Sequence, residues 1–349
     1  MRHSPARHPP VPGAVQPVVV TVSREALGRT SSLVLTPAVV AHRGASGHRP
    51  EHTLDAYRTA IRMGVDDIEL DLVATRDGVL VARHDLELSA TTDVADRPDL
   101  AHLRRTLVVD GVAQEGWFVQ DLTLAELKTL ATRERMPGTR PANTAYDGAE
   151  GVPSLTEVLA MVGAESVRRG RPVGLLLELK HAAHHDAIGL PLDVPLLRVL
   201  ARHGLDHAWA RVGLMSFEPG ILRRLAGRTR LPMIQLLDLG DELTPEALDA
   251  IDEYADGIGP HASLVLPRDR TGAVGEPSSL VRDAHRLGLT VHVWTVRAEN
   301  RFLPSNLRHG DAPDALGDMA GHVRALLGAG VDAVITDHPE AALAVLREP

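Results

Sequence analysis

The chain has 349 residues, contains no cysteine and carries a formal net charge of −9 at pH 7. The missing cysteine excludes disulfides and thiolate metal sites, and an acidic chain without a basic stripe is a poor candidate for binding nucleic acid. No apolar run approaches the length of an integral membrane segment, and the length fits one large domain.

Residues 1–37 precede the first regular pattern and are rich in proline, histidine and arginine. The apolar stretch at residues 18–22 is too short for the central part of a secretory signal. We therefore predict a disordered N-terminal tail and, as the sequence stands, a cytoplasmic protein. A secreted or periplasmic protein is the alternative if the true start lies elsewhere.

Apolar spacing predicts the first strand, loop and helix. The apolar run Ala38–Ala41 stops at His42 and Arg43, and apolar residues then recur at helical spacing over Leu54–Met63. His42 and Arg43 therefore stand where a strand ends.

The next stretch predicts two further strands joined by a tight turn. Glu69 and Asp71 lie two positions apart in a second apolar run, so both carboxylates point to one face of that strand. A turn at residues 77–78 leads to a third run at residues 79–82, which ends before His84. So short a turn makes the third run antiparallel to the second, and we expect an extra strand outside the parallel sheet.

A second acidic cluster supports the first. The apolar run at residues 172–179 ends with Glu178 and Lys180 facing the same way, where charges are costly unless they are paired or metal-bound. Of the 37 lysines and arginines, only Lys128 and Lys180 are lysines. A lysine beside Glu178 suggests that this position needs a compact charge with three donors. Lys128, in contrast, is interpreted as a lysine by chance, without a functional role.

Each of these residues alone has an ordinary explanation. An acidic pair on one strand face is more often solvated than metal-bound, and the chain has 18 histidines, so any single one could be coincidental. Their convergence favours function, because all of them follow strand-like runs, where the sites of α/β folds assemble. The residues that together have the layout of a metal-assisted phosphoryl-transfer site are His42, Arg43, Glu69, Asp71 and His84.

A third group of histidines comes directly after the second acidic cluster. His181, His184 and His185 could suggest a metal site, but they follow the strand in a loop-like stretch. We expect a solvated turn there.

The rest of the chain alternates between strand-like and helix-like segments. Eight strand-like runs are candidates for a parallel sheet, which predicts an α/β fold, a (β/α)8 TIM barrel with its site at the carboxyl ends of the strands. These runs begin near residues 38, 67, 173, 211, 232, 257, 290 and 332. Residues 86–152 interrupt the alternation, and we expect this insertion to cap the active site and select the alcohol, with a peripheral decoration as the alternative.

Several motifs together resemble one known family. HRGASGHRPEHT, ELDL, DGVLVARHD and ELK closely resemble the glycerophosphodiester phosphodiesterases, and YDG, GIGP, residues 297–300 and ITDHP look like the bacterial branch typified by exported enzymes. The resemblance covers about residues 38–345. It implies metal-dependent hydrolysis of glycerophosphodiesters to sn-glycerol 3-phosphate and an alcohol.

The resemblance also implies roles for individual residues. His42 and His84 correspond to the acid/base pair; we assign His42 as the base and His84 as the acid, with the reverse left open. The implied ligands of one divalent cation are Glu69, Asp71 and Glu178. The implied phosphate-binding residues are Arg43 and Lys180. Trp294 would wall the substrate pocket, with ordinary core packing as an equal alternative.

The chemistry explains why these residue types are needed. A site made only of carboxylate oxygens favours Ca²⁺ or Mg²⁺, and the cation with an arginine and a lysine would offset charge on the phosphoryl oxygens. Histidine suits both proton transfers because its unperturbed pKa is near neutrality. The nucleophile is either water or first the glycerol 2-hydroxyl, which would give a cyclic phosphate that water then opens.

Two other functions stay open. The same barrel could cleave lysophospholipid or sphingomyelin headgroups as a phospholipase D does, although the chain is poor in aromatics for a lipid-facing rim. A non-catalytic barrel that binds phosphodiesters belongs to a different class of protein. That alternative is less favoured, because a binding module does not need a paired acid and base.

Overall fold

The structure is a computed structural model and describes residues 37–109 and 111–348. Residues 1–36 lie outside the described residues, so the disorder expected of the N-terminal tail stays a prediction. The strands of the described part are β1 (Ala38–Ala41), β2 (Asp67–Ala74), β3 (Leu80–Ala82), β4 (Arg105–Val109), β5 (Val112–Gly116), β6 (Gly174–Leu179), β7 (Val212–Ser216), β8 (Met233–Leu237), β9 (Gly257–Pro260), β10 (Thr290–Val296) and β11 (Ala333–Thr336).

Helices separate most of the strands. They are α1 (Leu54–Met63), α2 (Leu124–Leu127), α3 (Leu155–Arg169), α4 (Ala182–Ala187), α5 (Asp193–Arg202), α6 (Pro219–Ala226), α7 (Pro245–Asp252), α8 (Ala262–Val265), α9 (Leu280–Arg286), α10 (Met319–Gly328) and α11 (Pro339–Leu346). Within residues 37–109 and 111–348, no helix is both long enough and apolar enough to cross a bilayer.

Eight strands form the predicted closed barrel. They run parallel in the order β1, β2, β6, β7, β8, β9, β10 and β11, and β11 pairs with β1 again. The predicted (β/α)8 fold is therefore confirmed. The extra strand is confirmed as well, because β3 pairs antiparallel with β2 through the register of Leu72 with Ala82.

The alternation of side chains along β2 explains how the barrel positions its polar residues. Ile68, Leu70 and Leu72 belong to the large core between the strands and the helices. Glu69 and Asp71 lie between them in the sequence, so they point to the opposite face, into the barrel. Apolar residues hold the strand in place, and the two carboxylates are buried with it.

The loop after β1 has a backbone that few residues can adopt. Gly44 has a φ of +85°, and a Cβ there would lie 2.6 Å from the backbone carbon of Ala56 in α1. A side chain at this position would clash with the helix. Thr53 caps α1, because its hydroxyl accepts a hydrogen bond from the backbone N–H of Ala56. The loop that bears His42 is thus fixed against the start of α1.

The insertion at residues 86–152 has a small core of its own. It contains the β4–β5 hairpin and α2, and its apolar residues pack under the β2–β3 hairpin. Residues 123–130 have a helix-like pattern in the sequence, but the helix that forms, α2, covers only Leu124–Leu127. After α2 the backbone changes to tighter turns, with Thr129 and Leu130 bonding three residues back, and Thr132 then pairs with Thr92.

The histidine cluster after β6 differs from the sequence expectation. His184 and His185 lie on α4, with His181 directly before it, rather than in a solvated turn, and His185 is fully buried. The expectation is therefore wrong for His185. Burial lowers the pKa of His185 to about 4, so the ring is neutral at pH 7.

Candidate active site

Three buried carboxylates meet at the carboxyl ends of β2 and β6. Asp71 and Glu178 are register partners on these neighbouring strands, and Glu69 projects from β2 on the same face as Asp71. One oxygen from each of the three lies within 4.8 Å of the others. The barrel therefore brings together the three predicted metal ligands.

The three carboxylates repel one another in the absence of a cation. Burial, with Asp71 and Glu178 nearby, raises the pKa of Glu69 well above its usual value. Burial likewise raises the pKa of Glu178 to about 7. Although burial opposes it, Arg43 and Lys180 hold the pKa of Asp71 well below its usual value. A positive charge placed among the three would relieve this repulsion.

Free oxygen atoms in this cluster fit a hard cation. Oε1 of Glu69 and Oδ1 of Asp71 are buried without a hydrogen-bond partner among the described residues. Oε2 of Glu69 accepts from the backbone N–H of Arg43 at 2.9 Å, and Oδ2 of Asp71 accepts from His52 at 2.9 Å. Each carboxylate is thus oriented through one oxygen and leaves the other available, as Ca²⁺ or Mg²⁺ requires.

His42 lies at the end of β1 and is anchored by a carboxylate. Its Nδ1 lies 2.6 Å from Oδ1 of Asp337. Although burial opposes it, Arg297 and Arg140 hold the pKa of Asp337 well below its usual range. The carboxylate can therefore only accept, which makes Nδ1 the donor and leaves the lone pair on Nε2. Burial, together with Arg43, lowers the pKa of His42 to about 4.

His84 has a similar anchor. Its Nδ1 lies 2.5 Å from Oδ1 of Asp85. Although burial opposes it, the hydrogen bond from His84 and the charge of Arg135 hold the pKa of Asp85 below its usual range. Burial lowers the pKa of His84 to about 4 as well, with Arg43 as the next cause. The two predicted acid/base residues thus share one arrangement. In each of them an aspartate contacts Nδ1, and Nε2 does not contact that aspartate.

The two predicted phosphate-binding residues lie beside the carboxylates. Nε of Arg43 is 3.0 Å from Oδ2 of Asp71, and its Nη1 donates to Glu51. Nζ of Lys180 is 2.9 Å from Oε1 of Glu178. Both cations therefore face the carboxylate cluster, next to the position that a cation would occupy.

Trp294 belongs to a group of three rings near the carboxyl ends of β7 and β9. Its ring contacts Phe217 at a centroid distance of 5.4 Å and His261 at 5.2 Å, and its Nε1 donates to the carbonyl of Gly259. Phe217 in turn lies 5.5 Å from Nζ of Lys180. Trp294 thus connects to the cluster through two contacts, and its role as a pocket wall stays a prediction.

A pocket opens beside His42 and is lined largely by arginines. Four arginines, from the insertion and from the barrel loops, line it together with two carboxylates. Its principal lining residues are His42, Arg43, Arg135, Arg140, Arg297 and Phe302. The insertion therefore contributes side chains to the immediate surroundings of His42.

Several residues that contact the predicted site were not predicted from the sequence. Asp337 lies in the ITDHP motif and Asp85 directly follows His84, so the motifs contained a signal for both. Arg135 and Arg140 lie in an irregular segment without periodicity, and nothing in their spacing indicated a place beside the histidines. Their position depends on how the insertion folds back on the barrel.

The closed barrel, with acidic and histidine side chains at the carboxyl edge of its strands, places the protein among the (β/α)8-barrel enzymes. Residues 42–341 match the model of the glycerophosphoryl diester phosphodiesterase family. The chain belongs to this family. The predicted enzyme class, a phosphoric diester hydrolase, is therefore confirmed.

Individual relatives agree with this assignment. A glycerophosphodiester phosphodiesterase of Arabidopsis thaliana is 33% identical, with 76% of each chain covered. One of Bacillus subtilis is 32% identical and covers 74% of this chain and 76% of the relative. The solved structure of an Oleispira antarctica phosphodiesterase with its product sn-glycerol-3-phosphate has a TM-score of 0.61 and 22% identity, covering 90% of this chain and 98% of that one. That likeness supports the fold.

Proposed function

We propose that this chain hydrolyses glycerophosphodiesters to sn-glycerol 3-phosphate and an alcohol, with His42 and His84 transferring the protons. The observation that carries the proposal is the placement of two aspartate-anchored histidines beside one cluster of three buried carboxylates. A barrel that only bound phosphodiesters would not need two histidines that are each oriented by an aspartate. The product named for the Oleispira antarctica enzyme is the one we expect here.

His42 is suited to accept the proton of the nucleophile. A pKa of about 4 keeps its ring neutral at pH 7, and the hydrogen bond to Asp337 leaves the lone pair on Nε2. We therefore assign His42 as the base. A positioned base of this kind contributes typically about 10²–10⁴-fold to the rate.

His84 is suited to protonate the leaving alkoxide. Its side chain is 31% exposed, against 11% for His42, so it can take up a proton from solvent. An anionic diester bound beside it would raise its pKa from about 4. In the hydrolysis, the oxygen of water bonds to phosphorus and the phosphorus–alkoxide bond breaks. The proton of the water passes to His42, and the proton of His84 passes to the alcohol.

Glu69, Asp71 and Glu178 would hold one divalent cation, Ca²⁺ or Mg²⁺, which would draw negative charge from the phosphoryl oxygens. Arg43 and Lys180 would offset the same charge from either side, because each already faces one of these carboxylates.

The pocket beside His42 extends to Arg135, which contacts the anchor of His84, and is the proposed place of the two alcohol groups of the diester. Arg135 and Met136 of the insertion line it together with Phe302 from the barrel. This supports the proposal that the insertion at residues 86–152 caps the active site. Polar and aromatic groups in one small pocket favour a compact, hydrophilic alcohol over a lipid chain.

The test is release of sn-glycerol 3-phosphate from glycerophosphocholine and glycerophosphoethanolamine. The purified protein is stripped with chelator and then given Ca²⁺ or Mg²⁺. We expect release only with metal, and a loss of about 10²–10⁴-fold in His42→Ala and in His84→Ala. His102→Ala is the matched control, because His102 lies exposed on the insertion.

Two results would overturn the proposal. Headgroup release from lysophosphatidylcholine or sphingomyelin, without any from the glycerophosphodiesters, would replace it with a phospholipase D activity. Tight binding of glycerophosphocholine without turnover under any metal would replace it with a binding function.

A further inference from the structure

Arg140 of the insertion contacts the aspartate that anchors His42. Its Nη2 donates to Oδ2 of Asp337 at 2.7 Å, and its Nε donates to Glu299 at 2.6 Å. A third donor, Nη1, reaches the carbonyl of Ser46 in the loop after β1. Arg140 is 7% exposed and Asp337 is 2% exposed, so this network is shielded from water. In such surroundings each contact restricts the carboxylate more than it would at the surface.

Arg135 makes the corresponding contact with the aspartate that anchors His84. Its Nη1 lies 2.6 Å from Oδ2 of Asp85, whose other oxygen holds His84. Its Nε and Nη2 both donate to Glu51 at 2.7 Å, and Glu51 also accepts from Arg43. Arg135 thus contacts Asp85 on one side and the partner of Arg43 on the other.

The two arginines belong to one short segment of the insertion. They are five positions apart, and the backbone between them is held by local hydrogen bonds. Asn143 donates to Glu134 and to the carbonyl of Ser46, and the N–H of Arg140 donates to the carbonyl of Met136. A single ordered segment therefore reaches the partners of both histidines, which lie at the ends of different strands.

We propose that this segment positions both histidines, Arg140 through Asp337 and Arg135 through Asp85. The inference rests on the proposed function for the acid and base roles of the two histidines. The contacts of the two histidines do not depend on that function. Both arginines are proposed as positioning residues, because each acts on a histidine through the aspartate that anchors it. The insertion would accordingly control proton transfer as well as pocket shape.

A planar guanidinium suits this task. Arg140 serves two carboxylates and a carbonyl with three fixed donors, and Arg135 serves two carboxylates in the same way. A lysine could keep the charge but could not hold both partners in one plane. Arg→Lys variants should therefore retain folding better than Arg→Gln variants while losing part of the positioning.

The first experiment follows the two imidazole rings by NMR in the full-length protein, labelled at histidine. The signals are assigned by comparison with His42→Gln and His84→Gln. Arg140→Gln should raise the pKa of His42, since Asp337 would keep more of its negative charge for the ring, and should leave His84 unchanged. Arg135→Gln should raise the pKa of His84 in the same way and leave His42 unchanged.

Other charges around each ring stay in place in these variants. His42 also faces Arg43 and Arg297. His84 also faces Arg43, Asp71 and Lys180. Because both rings share Arg43, a general change at the site would move both signals, and a change in only one ring identifies its own aspartate as the route.

The second experiment measures kinetics with glycerophosphocholine. Both Gln variants should lose at least tenfold in kcat, and this loss should exceed the change in KM, because proton transfer requires the aligned rings whereas the other lining residues of the pocket stay in place. The Lys variants should recover part of kcat. Arg133→Gln is the matched control, since Arg133 belongs to the same stretch but forms its ion pair with Asp96 at the surface.

The outcomes separate this inference from the proposed function. If the wild-type protein hydrolyses no glycerophosphodiester, the proposed function fails, and the NMR titrations still decide whether the arginines set the two rings. Unchanged titrations of His42 in Arg140→Lys and Arg140→Gln, and of His84 in the Arg135 variants, would overturn the inference. A fall in kcat that merely follows a lower Tm would also overturn it, because a structural role alone would explain that result.

Discussion

Nδ1 of His42 lies 2.6 Å from Oδ1 of Asp337, although 295 positions separate the two residues in the chain. His42 follows the first strand of the barrel and Asp337 follows the last, and these strands are register partners. The closure of the barrel therefore creates the pair. The orientation of His42 depends on a contact between the two ends of the domain.

Asp337→Asn should reduce kcat at least tenfold, because the ring of His42 loses a charged partner and is less firmly oriented. Asp337 raises the pKa of His42, so its removal should lower that pKa further and move the acid limb of the pH–rate profile to lower pH. The profile is measured from pH 3 to 9 beside the exposed control Asp311→Asn, so that the range includes the acid limb of the wild type. An acid limb at the same pH in both variants would contradict the role given to Asp337.

Glu69→Gln should abolish the stabilisation of the protein by Ca²⁺ or Mg²⁺. A ligand at 100 times its Kd stabilises the native state by about 2.7 kcal/mol, which is measurable as a rise in Tm. Without metal, the variant should be at least as stable as the wild type, because the raised pKa of Glu69 reflects burial and repulsion that glutamine removes. Glu276→Gln, at an exposed position, is the control. An equal metal-induced rise in Tm in both variants would exclude Glu69 as a ligand.

Lys180→Arg should impair hydrolysis even though the charge is kept. Lys180 is largely buried between Glu178 and the ring of Phe217, and a larger planar group would have to displace one of them. We expect a higher KM for glycerophosphocholine and a lower kcat. Lys128→Arg is the matched control in the only other lysine of the chain, whose contacts with Glu157 and the carbonyl of Val152 lie away from the site. Equal activity of the two variants would count against Lys180 as a phosphate-binding residue.

His185→Leu should make the protein less sensitive to acid. His185 is fully buried, and both ring nitrogens lack a hydrogen-bond partner among the described residues. Its pKa is lowered from 6.5 to about 4, so the unfolded chain binds the proton more readily than the native protein. Because of this difference, the contribution of His185 to the free energy of unfolding is highest above pH 6.5 and decreases as the pH falls toward 4, by an amount on the order of 3 kcal/mol.

Chemical unfolding at pH 7 and at pH 4.5 measures this difference. The loss of stability between the two should be smaller in His185→Leu than in the wild type and unchanged in the exposed variant His102→Leu. A wild-type loss that is retained in full by His185→Leu would assign the acid sensitivity to other groups.

Local periodicity predicted the strands well because successive side chains of a strand point to opposite faces and both faces of these strands are buried. The apolar positions on either side of Glu69 and Asp71 identified β2, and the short turn at residues 77–78 identified β3 as antiparallel. Periodicity did not predict the burial of His185, because the burial of a single polar side chain depends on the neighbours that cover it. The end of α2 likewise depends on tertiary contacts, since the chain beyond it pairs through Thr132 with Thr92.

The sequence by itself determined the barrel, its extra strand and the types of residue at its carboxyl edge, because short apolar runs and turn length are local properties that a chain displays along its length. Only the tertiary structure decided which distant groups meet there. Asp337 reaches His42 through barrel closure, and Arg135 and Arg140 reach the two aspartates through the fold of an irregular insertion. Hydrogen bonds and ion pairs act over a few ångströms, so partners remote in sequence can be identified only once the folded chain has placed them side by side.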